Sequence, residues 1–187
     1  MKKGATMPTF SFEYPTECLG TLTLSSDGES ITGLWLEGQK YFAYKVDPDM
    51  TPASDLPVFQ AAKAWLDAYF AGTPQPVGAL PLAPCGTDFQ RKVWDQLALI
   101  PYGQLTTYGA IANTLAKTSP TGRCSARAVG VAVGKNPISI ILPCHRVVGS
   151  TGSLTGYAGG IPRKVWLLEH EGVCMDNLRI PTRGTAL

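Results

Sequence analysis

Ile140-Ile-Leu-Pro-Cys-His-Arg-Val-Val148 is the stretch around which the rest of the chain is read. An apolar run ends at Pro143 and delivers Cys144 with His145 beside it, after which apolar residues resume. The pattern predicts a buried strand whose end presents a thiol next to a base. A cysteine nucleophile acts as the thiolate, and a neighbouring imidazole is one means of lowering a thiol pKa. Successive side chains on a regular strand face opposite ways. Cys144 and His145 can therefore cooperate only across a turn or a bridging water, and Pro143 favours such a turn.

Upstream, Asn136-Pro137 breaks a small-residue helix predicted over Ala126–Val133. Thr107 is placed to cap an earlier helix, Tyr108–Leu115, and Thr87 one before that, with Phe89, Val93, Leu97 and Ile100 as its apolar face. The helices at 108 and 126, the second opening on Ala126-Arg127-Ala128, resemble a helix-turn-helix unit. The connection from Lys117 to Cys124 is longer than a tight turn. Downstream, Gly149–Gly160 holds five glycines in twelve residues but no lysine. It does not suit a phosphate loop, and is instead expected to let backbone approach a flat ligand. A last helix starts near Arg163, apolar at Ile161, Val165 and Leu168, with Gly172 at its C-cap.

The first half reads differently. Leu19–Leu24 and Ile31–Leu36 alternate around an Asp27-Gly28 turn, the pattern of a β-hairpin. Tyr41–Val46 is a candidate further strand. Phe59, Ala62, Leu66 and Tyr69 recur at helical spacing before Gly72 and Pro74. Thr73–Pro84 then has four prolines in twelve residues, the composition of an extended linker. The expected fold class is α/β: a small N-terminal α/β domain with linker (1–85, a hairpin sheet plus a helix) and a mainly helical domain (86–187).

Composition narrows the functions. Residues 1–85 carry five Lys and Arg against nine Asp and Glu, a net −4, and residues 86–187 carry 11 against five, a net +6. The basic half suggests a polyanionic partner, although two differently charged solvated faces would look the same. Five cysteines lie at 18, 85, 124, 144 and 174, with no Cys-x-x-Cys, and the only histidines are His145 and His170. That argues against a disulfide framework and an ordinary zinc site. Cys18, Cys85, Cys124 and Cys174 read as structural thiols, and His170 as a helix-surface residue. No apolar run approaches the ~18 residues of a membrane span, and Met1–Pro8 lacks the apolar core of a signal peptide. A cytoplasmic protein without metal or cofactor is expected.

Taken together, Asn136-Pro, Pro143-Cys-His-Arg-Val147, Gly156-Tyr-Ala-Gly-Gly160 and Trp166-Leu-Leu-Glu-His-Glu-Gly172, in this order and spacing, resemble the O6-alkylguanine-DNA alkyltransferase family over residues 86–173. The resemblance implies irreversible transfer of an alkyl group from O6-alkylguanine, and from O4-alkylthymine, in DNA to Cys144. It implies that His145 is the base for Cys144 through a water, that Glu171 orients His145, and that Tyr108 donates a proton near guanine N3. It further implies that Asn136 braces the turn, and that Tyr157, Ala158, Gly159, Gly160 and Val147 line the base pocket. Ala158 stands where some members have serine, so a hydrogen bond to O6 there would come from backbone N–H. Arg127 would fill the space left by a flipped base, and Ala126, Ala128, Gly130 and Thr107 would meet the minor groove of double-stranded DNA. A monomer is expected. Singly, each residue has a plain structural reading: core thiol, packed tyrosine, solvated arginine, structural ion pair. A damage-binding protein without catalysis and a cysteine hydrolase remain the alternatives.

Overall fold

A computed structural model describes residues 9–181 apart from Lys45, Asp47, Pro48 and Pro74. The reading of Met1–Pro8 lies outside the described residues. Alternation makes the sheet: β1 (Phe10–Thr16), β2 (Gly20–Ser26) and β3 (Ile31–Leu36) turn Phe12, Leu22, Leu24 and Leu34 into the core. Both neighbouring pairs are antiparallel, and the order is β3-β2-β1-β4, with the short β4 (Thr51–Pro52) parallel to β1. The β2–β3 hairpin forms where expected. Asp27 Oδ1 accepts from the Glu29 and Ser30 amides, and Gly28 takes φ 104°. Strand β1 was not anticipated, although Phe10, Phe12 and Tyr14 alternate with polar residues.

Tyr41–Val46 is not a strand. Residues 41–44 form turns, with left-handed backbone at Tyr41 (φ 63°) and Ala43 (φ 50°), which no ladder accommodates. Helix α1 (Pro57–Phe70) lies on the sheet through Val58, Phe59, Ala62 and Leu66, and the Phe12 and Phe59 rings sit 5.7 Å apart.

The proline-rich segment is extended but not free. After a 3-10 turn at Val77–Ala79 it runs beside the edge of β3, where Ile31 N donates to Pro81 O and Ala83 N to Ile31 O. The same edge then receives the second half, as Leu34 N donates to Pro137 O and Ser139 N to Leu34 O, both at 2.8 Å. One apolar core consequently runs through both halves and includes Cys144.

The second half is helical. Helix α2 (Asp88–Ala98) opens on a full capping box between Thr87 and Gln90. It buries Gln90, Val93, Trp94 and Leu97, while Phe89, expected on the buried face, is 38 % exposed. Helix α3 (Tyr108–Ala116) is capped by Thr107, and α4 (Ala126–Gly134) follows the connection 117–125. Trp94 Nε1 donates to Ala132 O at 2.9 Å, tying α2 to α4. Two-residue strands β5 (Thr106–Thr107) and β6 (Val147–Val148) pair in parallel, joining the start of α3 to the segment after Cys144. Helix α5 (Ile161–His170) ends in a Schellman pattern at Gly172, φ 72°. Its His170 is not simply at the surface. It is half-buried, stacks 4.9 Å from Trp166 and hydrogen-bonds the Tyr69 carbonyl.

Candidate active site

The apolar run before Cys144 is a turn rather than a strand. Only Ile138 bridges to β3, and Ile140 is left-handed at φ 68°. The cause is Asn136. Its Oδ1 accepts from Ile138 N at 3.1 Å, and its Nδ2 donates to Leu142 O at 2.8 Å, so one side chain replaces the ladder partners a strand would need. Pro143, lacking an N–H, could not have continued a ladder. Cys144–Arg146 then form a 3-10 turn. With three residues per turn, consecutive side chains point about 120° apart. Cys144 therefore faces away from its neighbours, while His145 and Arg146 both reach Glu171.

Glu171 is the hub. Oε1 accepts from Tyr69 Oη (2.8 Å) and Arg146 Nη2 (3.0 Å) and lies 2.6 Å from His145 Nε2. Oε2 accepts from Arg146 Nε (2.7 Å) and Gly103 N (3.1 Å). Burial alone would raise the Glu171 pKa, but the hydrogen bonds from His145 and Arg146 overcome it and hold the carboxyl well below the usual carboxylate range. With the carboxylate ionised, His145 donates from Nε2 and presents a bare Nδ1 lone pair. Nδ1 is buried and has no hydrogen-bond partner among the described residues. Burial lowers the His145 pKa, and the Arg146 and Lys164 charges add to this against Glu171, so the ring rests neutral.

The thiol is not lowered by its surroundings. Burial raises the Cys144 pKa, and the Asn136 amide and the Lys164 ammonium offset only part of the rise. The resting group is a thiol, 5 % exposed. Lys164 is completely buried, donating from Nζ to Val147 O at 2.6 Å and to Thr155 O at 3.4 Å. No carboxylate pairs with it among the described residues. Burial lowers its pKa to about 8.

Tyr108 donates from Oη to Thr155 O at 2.9 Å, and burial, followed by the nearness of a Cys144 thiolate when one forms, raises its pKa. Tyr157 is buried, and its hydroxyl has no hydrogen-bond partner among the described residues. Gly159 is buried and Ala158 and Gly160 half-buried, and a Cβ on Gly159 would come 2.7 Å from the Tyr157 ring. Gly156 takes φ 82°, and a Cβ there would meet Tyr108 Oη at 2.8 Å. The glycines thus let the loop close on two tyrosines.

On the other side of α4, Ala126, Arg127 and Ala128 are exposed. Gly130 is not part of that open face: it sits against the Tyr108 ring, 3.7 Å from where its Cβ would be. Thr107 uses its hydroxyl to accept from Ala110 N at 3.0 Å. The connection 117–125 closes a groove of about 380 Å³ with Phe89, Lys92, Leu115 and Ala128.

Reasoning from sequence did not single out Tyr69, Gly103, Arg146 or Lys164 as site residues. Arg146 carried a signal, being inside the motif. Tyr69 had only its place on a helix face, and nothing local announced that Lys164 would be buried.

A buried thiol, a histidine–carboxylate pair behind it, and a helix pair presenting an arginine together define a cysteine-nucleophile protein of the DNA-modifying kind. Family models agree with that class: residues 88–173 match "6-O-methylguanine DNA methyltransferase, DNA binding domain", and residues 14–84 match "6-O-methylguanine DNA methyltransferase, ribonuclease-like domain". The methylated-DNA–protein-cysteine methyltransferase of Haemophilus influenzae is 41 % identical over 167 residues, covering 89 % of each chain. That of Mycobacterium leprae is 43 % identical over 153 residues, covering 82 % of this chain and 87 % of the relative. The crystal structure of Mycobacterium tuberculosis OGT in complex with DNA superposes with a TM-score of 0.71 at 42 % identity, covering 87 % of this chain and 91 % of that one. The chain belongs to the methylated-DNA–protein-cysteine methyltransferase family.

Proposed function

We propose that this protein repairs O6-alkylguanine, and O4-alkylthymine, in double-stranded DNA by moving the alkyl carbon irreversibly onto Cys144 Sγ. The observation that carries the reading is the buried Cys144 beside His145, whose Nε2 is held by Glu171 and whose Nδ1 is left unpaired. Dealkylation is a displacement at carbon, for which a soft thiolate is the suitable nucleophile. The thiol proton passes through a water to Nδ1 of the neutral His145, and Glu171 stabilises the imidazolium. The S–C bond forms as the C–O6 bond breaks, and the electron pair stays on guanine. Tyr108 Oη, moving from the Thr155 carbonyl, supplies a proton to the developing anion near N3. The imidazolium then returns its proton through solvent to the Tyr108 phenolate, so that in sum S–H and O–alkyl become S–alkyl and a guanine N–H. A thioether resists water and thiols, so each molecule reacts once. No cofactor enters this balance.

The reactive carbon lies inside a stacked duplex, so the nucleotide must be flipped out at a cost of a few kcal/mol. Arg127, exposed at the start of α4, fills the space left, while Ala126 and Ala128 allow close approach to the minor groove. Val147 and the loop from Tyr157 to Gly160 form the base pocket, and Asn136 braces the turn. We place the domain boundary at 85/86, and take the protein as a cytoplasmic monomer. Among the described residues no helix is long and apolar enough to cross a membrane.

Incubation with duplex DNA holding O6-methylguanine, followed by intact-mass and peptide-mass measurement, tests the reading. One methyl group on the peptide containing Cys144, absent in Cys144→Ser, is expected. Binding without a mass change would sink the repair reading, and repeated turnover would favour a hydrolase.

A further inference from the structure

The N-terminal half reaches the rim of the base pocket through one segment, the strap 37–44 that follows β3. Three of its residues hold it there. Gln39, buried, accepts at Oε1 from Ser139 Oγ (2.9 Å), inside the Asn136–Leu142 turn, and from Leu36 N (3.1 Å). Lys40 N donates to Ala158 O at 3.0 Å. The Glu37 carbonyl accepts from Arg163 Nη1 of α5 at 2.6 Å. The strap is thus tied to the turn before Cys144, to the pocket loop and to α5.

Its tip has an unusual composition for a connecting turn. Tyr41 and Phe42 are 41 % and 45 % exposed, among the few large apolar side chains left in solvent. Lys40 Nζ lies 5.4 Å from the Tyr41 ring. Lys135, at the C-terminal end of α4, lies 5.9 Å from the Tyr41 ring and 5.2 Å from that of Tyr44. Neither lysine has a carboxylate partner among the described residues. Rings interleaved with uncompensated ammonium groups are what proteins use to hold an unstacked nucleic-acid strand: rings take base faces and lysines take phosphates. A cation resting on an exposed ring is weakly held, so a phosphate can recruit it.

We propose that the strap, together with Lys135, is a second DNA contact that holds the lesion-bearing strand beside the flipped nucleotide. Tyr41 stacks on an exposed base face, and Lys40 and Lys135 pair with backbone phosphates. The inference rests on the alkyltransferase reading and gives the N-terminal half a direct part in it.

The full-length protein and its Tyr41→Ala, Lys40→Ala and Lys135→Ala variants test this. Affinity for a short duplex with one O6-methylguanine is measured across a salt series, and alkyl transfer from free O6-benzylguanine is followed separately. Each lysine variant should reduce the slope of log affinity against log salt by about one. Tyr41→Ala should weaken binding about tenfold. Lys135→Arg, which keeps the charge, should keep the slope, and the free-base rate should not change in any variant. Unchanged affinity and slope, with the wild type active, would overturn the strap contact alone. A wild type that reacts with neither substrate would overturn the alkyltransferase reading itself. A loss confined to long duplexes holding several copies would assign the tip to contacts between copies, and would also overturn the proposal.

Discussion

Cys144 is activated by what surrounds it only when a proton acceptor is in line, because its own environment favours the neutral thiol. In the proposed reaction His145 is that acceptor, with its Nε2 held against Glu171. Replacing Glu171 by Gln removes the anion that stabilises imidazolium and leaves the Arg146 guanidinium buried without a counter-charge. Single-turnover kinetics should show a rate at least about 100-fold lower, and urea titration a stability loss of about 3–5 kcal/mol. Tyr69→Phe separates the two effects, since Tyr69 donates to Glu171 but stands outside the proton path. It should cost about 1 kcal/mol and leave the rate within about threefold of wild type. Equal rate losses in both variants would mean that Glu171 acts through packing. The pairing of His145 with Glu171 beside a buried Cys144 was legible in the motif, because the residue types and spacing are particular. The thiol's raised pKa was not, since it follows from burial that no neighbouring letter specifies.

In the proposed reaction two elements carry the contact with the damaged base, and both depend on small residues. The loop 156–160 closes over the pocket because Gly156 adopts φ 82° with no side chain beside Tyr108 Oη. Gly156→Ala should displace Tyr108 or open the loop, lowering the alkyl-transfer rate on DNA and on free base alike by about 100-fold. Helix α4 offers the complementary case. Arg127 is exposed and has no hydrogen bond or ion pair among the described residues, so its replacement should leave the fold and the pocket intact. Arg127→Ala should slow repair in duplex DNA at least tenfold while the rate with free O6-benzylguanine stays level, and equal losses on both would remove the finger role. The helices were readable in advance from period and caps, Thr87 and Thr107 among them. The strand expected before Cys144 was not a strand, because a short run such as Ile138-Ser-Ile-Ile-Leu142 fits a buried turn as well as a ladder, and Asn136 decided between them.

At the scale of the molecule, the two halves behave as one body because β3 pairs along its outer edge with both the proline-rich segment and Pro137–Ser139. Acid should expose this coupling. His145 and Glu171 both have folded pKa values below their unfolded ones, so at low pH the unfolded chain binds protons that the folded chain does not. Below pH 7 stability should therefore decline as pH falls under about 6.5, the unfolded histidine value, and fall more steeply below about 4.3, the unfolded glutamate value. Urea midpoints across pH 4–8 would show it. In Glu171→Gln the steep lower branch should be smaller, and an unchanged acid limb would place the titrating groups elsewhere. Both halves should unfold in one transition, since the core that Tyr69 and Glu171 share crosses between them.

The amino-acid sequence by itself determined the chemistry and most of the elements. Pro143-Cys-His-Arg-Val147, the capped helices and the Asp27-Gly28 hairpin are local patterns, set by residue type and spacing within a few turns of chain. Tertiary structure alone decided which residues meet across long separations. Tyr69 reaches Glu171 over 102 positions, Gln39 meets Ser139 over 100, and Lys164 becomes a buried cation with no carboxylate partner among the described residues. These contacts have no period or motif to betray them, because they arise from how the sheet edge, α1 and α5 pack rather than from any stretch of neighbours.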